Sequence, residues 1–559
     1  MTPPDTPQIC VILPAYNLSA YIGAAIASLK AQSFAAFEVL VIDDGSTDDT
    51  RAQAIAAIGT DPRFRVIHQS NRGLSGARNA GLDLARAPFI AFLDGDDRFD
   101  PDFLQVLHDD LHSSTAPWVA CGVLFCAPDG SGHAHSAIHG RPEPGAAPTT
   151  YPLPDWSDVI CHFPSAWNKL YRRDFIGDLR FDDGTWYEDH TFFHRLAAKT
   201  GMLRHIPRPL YLYTLEREGQ ITRADSDRVF EQFAVLETSA EIFRSAGKTG
   251  ADKALARLAT RLFCERLEVI ITPDRAARFR REAATFLARH QLQPDWRWDR
   301  YISALRVLSL TGDAPVTIRA NARDADVTRR LLPDPASALA PFFRLAAPDQ
   351  PLAKAGLVID LHTPGPIDHA ALAQAAEALL HSDLAAVLVP LIQRPADTAP
   401  HILSPDDALD LNPAQHAILT RTAFACQPSG HDPQLRLTEQ ALTLCAAQTP
   451  IAWSLSPIAP TTQRPPPPLR DWLQALDQWH PTQARILPTG WKRRLTLRSV
   501  TARMPKPPPQ GWRHNPKALL PLLHLWWAGL RRGWIGTPGK IDADTPRVIR
   551  RIFRLPPIG

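Results

Sequence analysis

Apolar and polar positions in the first hundred residues alternate between two rhythms. Ile9 to Tyr16 (ICVILPAY) is a short apolar run closed by Pro14, and it reads as a buried strand. Tyr21, Ile22, Ala25, Ile26 and Leu29 then fall at helical spacing. FEVLVIDDGS is a second strand running into a turn, Asp48 to Ile58 is helical, and FRVIHQ is a third strand. Ser75 to Ala85 is helical again, and PFIAFLDGDD is a fourth strand whose apolar run stops at Asp94. Strands apolar on both faces, alternating with helices, predict an α/β domain with an open, mostly parallel sheet. Such sheets bind ligands beyond the carboxyl ends of their strands. The acidic clusters Asp43–Asp44 and Asp94–Asp97 both fall at those ends.

Further along, residues 226–312 carry apolar positions such as Leu255, Leu258, Leu262 and Leu267 and read as a helical connector. Residues 313–463 return to an α/β pattern. Here PAQHAILTRTAF (Pro413 to Phe424) aligns without gaps on PSAWNKLYRRDF (Pro164 to Phe175), with matches at Pro164/Pro413, Leu170/Leu419, Arg172/Arg421 and Phe175/Phe424. The stretch GLVIDLHTPGPIDHAAL likewise follows the pattern of PFIAFLDGDDRFDPDFL, so that HTPG stands for DGDD and Leu437-Thr438 for Glu188-Asp189. This reads either as a degenerate second copy of one fold with its acidic site erased, or as two unrelated α/β pieces. Residues 464–559 open on RPPPPLRDW, a stiff extended linker. Within them Asn515 to Trp534 is apolar and aromatic, flanked by Lys517, Arg531 and Arg532, and interrupted by Pro521. That stretch suits a helix lying on an anionic membrane surface or one packed on the body.

Composition changes this picture in three places. At 559 residues the chain is too long for one core. The net charge of +3 argues against a nucleic-acid binder, but it conceals an asymmetry. The tail from Arg464 holds 18 Lys/Arg against 4 Asp/Glu, a net +14, which leaves −11 on the rest. A basic tail on an acidic body points to an anionic contact such as a membrane. The 7 cysteines show no regular spacing, so a disulfide framework is not expected and a reducing cytoplasm fits. Cys121, Cys126, Cys161 and His162 match no zinc module and read as small buried groups. The opening MTPPDTPQIC lacks the basic and apolar regions of a signal peptide, and no run of about 18 apolar residues predicts a spanning helix.

The chemistry centres on the acids. Asp94, Asp96 and Asp97 repel one another, which a hard divalent cation, Mn²⁺ or Mg²⁺, would relieve while sharing diphosphate oxygens. The alternative is a solvated Asp-Gly turn. Asp43 and Asp44 could accept from a base or a ribose, or simply shape a strand-to-helix turn. SNRGLSGARNAG (Ser70 to Gly81) is neither a P-loop nor a dinucleotide fingerprint, which excludes those classes; its Arg78 could face phosphates or be structural.

Taken together, VILPAYN, EVLVIDDGSTDDT, NRGLSGARNAGLDLARAPFIAFLDGDD and WNKLYRRDF…FDDGTWYEDHTF resemble the motifs of glycosyltransferase family 2, in order and over residues 8–225. The resemblance implies a GT-A catalytic domain over 1–225, an inverting reaction and a nucleotide-sugar donor, usually UDP-linked. It places Ala15, Tyr16 and Asn17 under the nucleotide, Asp43 on the base with Asp44 near it, and Arg78 at the donor. Asp94 would bind ribose or metal-bridged oxygens and Asp96 the metal. Asp189 falls at the general-base position, while Trp167, Asn168, Lys169 and Glu188 would line the acceptor side. Inversion needs one direct attack by an acceptor hydroxyl, a carboxylate to take its proton, and charge compensation on the leaving diphosphate. Glu188 beside Asp189 leaves open which carboxylate points inward; the motif register favours Asp189. After Tyr213 the sequence departs from the family, and Arg217 or Arg223 would supply the basic residue of the closing loop. The expected acceptor is a glycan or lipid-linked glycan in cell-surface polysaccharide synthesis, at the inner face of the cell membrane. The competing reading is a non-catalytic nucleotide-sugar-binding scaffold, against which the intact set Asp43, Asp94, Asp96 and Asp189 speaks.

Overall fold

The computed structural model describes residues 6–311, apart from 141–144, 218–219, 221–222 and 300, and beyond them only separate stretches between 314 and 453. The basic tail and its aromatic stretch lie outside the described residues. Two compact units divide near residue 312.

The first unit opens with the alternation read from the sequence: β1 (Ile9–Ala15), α1 (Ile22–Lys30), β2 (Phe37–Asp43), α2 (Thr50–Ile58), β3 (Phe64–His68), α3 (Gly73–Leu84) and β4 (Phe89–Phe92). β3, β2, β1 and β4 are consecutive and parallel in the sheet, so the ends of β1, β2 and β4 share one edge. Side chains of β1 alternate between two apolar clusters, Cys10 and Ile12 on one face and Ile9, Val11 and Leu13 on the other. Gly81 lets α3 lie close on this sheet, since a Cβ there would stand 2.4 Å from Ile12.

The chain continues through β5 (Arg98–Phe99), α4 (Phe103–His112), β6 (Trp118–Cys126), β7 (Gly132–His135), β8 (Thr149–Pro152), α5 (Trp156–Val159), β9 (Lys169–Arg172), α6 (Arg173–Ile176), α7 (Glu188–Ala198) and β10 (Met202–Thr214). Strand β9 enters antiparallel between β4 and β6, and β10 runs parallel to β6. The helices α8 (Glu231–Ser245), α9 (Ala251–Val269), α10 (Pro273–Arg289) and α11 (Ala304–Leu308) follow.

Expected as a separate connector, residues 226–312 instead belong to the first unit. Their apolar faces share a core with the sheet: the Trp156 ring stacks on Phe243 at 4.2 Å, and its indole N–H donates to the Phe243 carbonyl at 2.9 Å. An amphipathic helix must cover its apolar stripe, and α7 and α5 offer the nearest apolar surface.

The second unit holds a seven-stranded sheet: β11 (Val316–Ala320), β12 (Phe343–Ala346), β13 (Leu357–Leu361), β14 (Ala386–Pro390), β15 (His401–Ile402), β16 (His416–Arg421) and β17 (Pro450–Trp453), ordered β12-β11-β13-β16-β14-β17-β15. This repeats the run β2-β1-β4-β9-β6-β10-β8 of the first unit, strand for strand in chain order. Parallel and antiparallel neighbours also recur in the same places. The register agrees too. Phe89 pairs with Arg172 and Ala91 with Leu170, as Leu357 pairs with Arg421 and Ile359 with Leu419. Val119 faces Leu170, as Val387 faces Leu419.

Candidate functional site

The site forms where β1, β2 and β4 end. Past β1, the Asn17 backbone turns left-handed (φ 51°), and its side-chain oxygen accepts from the Thr47 N–H at 2.8 Å. Leu18 N–H donates to the Thr50 hydroxyl at 2.6 Å, which laces the loop after β1 to the loop after β2. Ala15 is buried whereas Tyr16 and Asn17 are exposed, so of the three expected nucleotide neighbours these two present open surface.

Asp43 and Asp44 are both buried and both engaged within the protein. Asp43 accepts from Ser46 N–H at 3.2 Å and pairs with His68 Nδ1 at 2.8 Å. Burial alone would raise its carboxyl, but the Ser46 and His68 hydrogen bonds hold it below the usual range. Asp44 accepts from Gln69 Nε2 at 2.7 Å and from Arg72 N–H at 2.9 Å, which ties β2 to the start of α3. Gly45 (φ 72°) makes the turn between them; a Cβ there would stand 2.8 Å from the Asn71 nitrogen. His68, at the end of β3, went unread in the sequence because a lone histidine after a strand carries no motif.

The DGDD turn follows β4. Asp97 is buried and accepts from the Tyr211 hydroxyl and the Thr214 N–H, both at 2.7 Å. Burial, with Asp96 and Asp94 alongside, pushes its carboxyl well above the usual range. Asp97 therefore anchors the turn to β10. Asp96 points elsewhere: Arg217 Nε donates to its Oδ2 at 2.5 Å, and the Thr214 hydroxyl donates to its carbonyl at 2.6 Å. Arg217, one of the two candidates for the closing loop, thus meets an acid of the turn. Burial raises the Asp94 carboxyl and Asp96 adds to this, while Arg78 opposes both.

Arg78, expected at the donor, is engaged within the protein. Its guanidinium is buried, with NH2 on Asp94 Oδ1 at 2.8 Å and NH1 on Glu188 Oε1 at 2.5 Å. It bridges the end of β4 to the first turn of α7. A cation buried this deeply needs both partners, because desolvation is offset only by close opposite charge. Glu188 is thereby engaged in this bridge. The next residue, Asp189, is half-buried, and among the described residues no hydrogen bond engages its carboxylate. Its charge is felt at Arg78 and at Asp94, which places it beside the same corner.

All four expected acceptor-side residues are buried, and two of them lie deepest. Asn168 and Lys169 are fully buried. Lys169 Nζ donates to the carbonyls of Phe163 (2.8 Å) and Ser165 (2.6 Å) and to Asn168 Oδ1 (2.8 Å). Burial brings this ammonium down to about 7. Asn168 Nδ2 donates to the Cys121 carbonyl at 2.7 Å. These two residues staple the loop that carries Trp167, whose ring stacks on Tyr211 at 4.2 Å. Tyr211 is the hub that joins Trp167 to Asp97, a role no motif marks in the sequence. Cys121 and Cys161 are buried thiols, and among the described residues no three His, Cys, Asp or Glu side chains converge as a ready-made metal cage.

A parallel sheet that gathers an acidic turn, a bridging arginine and a second carboxylate at its strand ends is the architecture of a GT-A transferase domain. Residues 10–180 match the model of glycosyl transferase family 2, and this part of the chain belongs to that family. The putative glycosyltransferase EpsH of Bacillus subtilis is 28% identical over 254 residues, 44% of this chain and 71% of its own length. The glycosyltransferase GlyG of Streptococcus pneumoniae is 26% identical over 39% of this chain and 74% of its own. Chondroitin synthase of Escherichia coli is 36% identical over 115 residues, 21% of this chain and 16% of its own. Among solved structures, residues 1–349 of S. aureus TarS with UDP-GlcNAc align over 54% of this chain and 86% of that one, at 19% identity and a TM-score of 0.39. The family match and these relatives support a glycosyltransferase, and among the described residues no helix is long and apolar enough to cross a membrane.

Proposed function

We propose that the first unit is an inverting transferase that moves a sugar from a nucleotide-sugar, a UDP-sugar by the family pattern, to a hydroxyl of a glycan or lipid-linked acceptor. Asp189 is the general base. The single observation that carries this reading is the division of labour at the start of α7: Glu188 is held by Arg78, whereas among the described residues no hydrogen bond engages the Asp189 carboxylate beside it, which lies within electrostatic reach of Asp94. The acceptor hydroxyl attacks the anomeric carbon, its proton passes to an Asp189 oxygen, and the bond from that carbon to the diphosphate breaks with its electron pair on the leaving nucleotide. Asp94 and Asp96 would hold Mn²⁺ or Mg²⁺. The crowding that lifts the Asp94 and Asp97 carboxyls fits a cation there, as does the guanidinium cation already seated on Asp96. A bound cation would supply positive charge against the developing diphosphate. Tyr16 offers a ring to the nucleotide, and Trp167 lines the acceptor side from the loop that Asn168 and Lys169 fix.

The second unit, on this reading, is a copy of the same fold without the chemistry. In the sequence alignment His362, Thr363, Pro364 and Gly365, which lie outside the described residues, stand for Asp94, Gly95, Asp96 and Asp97. The similarity to chondroitin synthase supports a role in polysaccharide synthesis, and the net charge of +14 after Arg464 supports work at the cytoplasmic face of an anionic membrane.

The test is turnover of UDP-, GDP- and dTDP-sugars by the full chain with Mn²⁺ or Mg²⁺, alone and with glycan or lipid-linked acceptors. Loss of transfer in EDTA, in Asp96→Ala and in Asp189→Ala is the expected result. Full transfer by Asp189→Ala would remove the base assignment. Donor binding with no transfer to any acceptor would favour a scaffold.

A further inference from the structure

The helix that begins with Glu188 and Asp189 is entered through a strained residue. Tyr187 sits in the left-handed region (φ 67°, ψ 30°), which residues with a Cβ rarely adopt. Asparagine or glycine would adopt it with less strain, so something must hold a tyrosine there. The holding groups come from the helical segment 226–312. Arg266, a buried residue of α9, donates through NH1 to the Tyr187 hydroxyl at 3.1 Å, and its guanidinium carbon lies 5.2 Å from the centre of the Tyr187 ring. One residue earlier, the Trp186 N–H donates to Glu231 Oε2 of α8 at 2.6 Å. Arg228 covers the Trp186 ring at 4.5 Å, pairs with Glu231 Oε1 at 2.6 Å and donates to the Gly184 carbonyl at 3.1 Å. Gly184, Trp186 and Tyr187, on the approach to α7, are therefore gripped from α8, α9 or the turn before them.

The consequence is directional. The backbone angles at Tyr187 set the path on which the chain enters α7, and the first turn of that helix carries both carboxylates. Arg78 of α3 secures Glu188. Nothing comparable is bonded to Asp189 among the described residues, so its place depends on the backbone that carries it. We propose that Arg266 is a positioning residue for the transfer reaction: by holding Tyr187 left-handed it fixes where the Asp189 carboxylate stands. This rests on the reading of Asp189 as the base. It also gives the helical segment a task beyond covering apolar surface, because the helices brace the reacting corner from behind.

The experiment uses the full chain with the donor found by the sugar-nucleotide panel, and the matching nucleoside diphosphate as binding probe. Arg266→Met and Tyr187→Phe are each measured alone and combined with Asp189→Ala, and Arg266→Lys tests rescue. A misplaced base costs about 10-fold or more in kcat, and the donor KM and nucleoside diphosphate affinity should stay within about twofold. Arg266→Lys should recover part of the loss. In the Asp189→Ala background, Arg266→Met should have no further effect, because residues that act through one another are not additive. An unchanged kcat in Arg266→Met and Tyr187→Phe, or an equal loss with and without Asp189, overturns the inference while leaving the base assignment intact. Wild-type transfer by Asp189→Ala would instead overturn the base assignment and this inference with it. If Arg266→Met does not fold, Tyr187→Phe decides alone, since it removes one hydroxyl and keeps the ring.

Discussion

The two units repeat one strand order in two separate sheets and differ in the residues that follow one of the strands. Both place one antiparallel strand between parallel neighbours, β9 in one and β16 in the other, with leucine and arginine at matching pairs. In the first unit the strand before that insertion, β4, runs into Asp94, Asp96 and Asp97; in the second, β13 runs into His362, Thr363, Pro364 and Gly365. A fold tolerates this difference because apolar strands hold the sheet together, whereas the acids at its rim repel one another and are a cost to stability. Their presence in the first unit argues for chemistry there.

The comparison breaks most sharply on turnover. Asp189→Ala should lower transfer by about 10²–10⁴-fold, the usual contribution of a general base, with no residual activity from the second unit. Transfer that survives at a level set by a second donor would mean that both units react. Next in size is the cost of the buried bridge. Arg78→Met leaves Asp94 and Glu188 without their shared cation, and stability measured by urea unfolding should fall by about 3–5 kcal/mol. A loss below about 1 kcal/mol would mean that the bridge is solvated.

Acid offers a smaller effect. Burial brings His205, at the core of the first unit, down to about 4 from the ordinary 6.5. Its neutral folded form therefore contributes stability that is complete above pH 6.5 and is lost as pH falls toward 4, where the unfolded chain binds the proton and the folded chain does not. Unfolding midpoints should drop over that window, with a slope of at most about 1.4 kcal/mol per pH unit for this one group, and His205→Gln should flatten the slope. The smallest difference is one of number. Titration with the donor's nucleoside diphosphate should give one site per chain, removed by changes in the first unit, and two sites would restore the second unit as a nucleotide binder.

Much of the first unit was legible because burial is periodic. Strands β1 to β4 and helices α1 to α3 fall where apolar runs and helical spacing placed them, since a sheet covered on both faces leaves no other use for ICVILPA or FEVLVI. The helices of 226–312 were legible as helices, but not as part of the first unit, because an apolar stripe announces that it will be covered and not by what. The second unit's topology was foreshadowed by Leu170/Leu419 and Arg172/Arg421, which hold equivalent places in two sheets.

Charge was legible only as position. The sequence by itself determined that carboxylates stand at the ends of β2 and β4 and at the start of α7, because strand ends and helix starts are local features. Which charge meets which was decided by the tertiary structure. Arg78 and Glu188 are 110 residues apart in the chain, and Asp96 and Arg217 are 121 apart. No spacing rule links such pairs; they meet because the sheet order brings β4, α3 and α7 to one corner. The same holds for Asn168 and Lys169, polar residues that looked fit for an acceptor and are enclosed. Enclosing an ammonium is tolerable only where carbonyls converge on it, and that convergence of Phe163 and Ser165 exists only once the loop has folded.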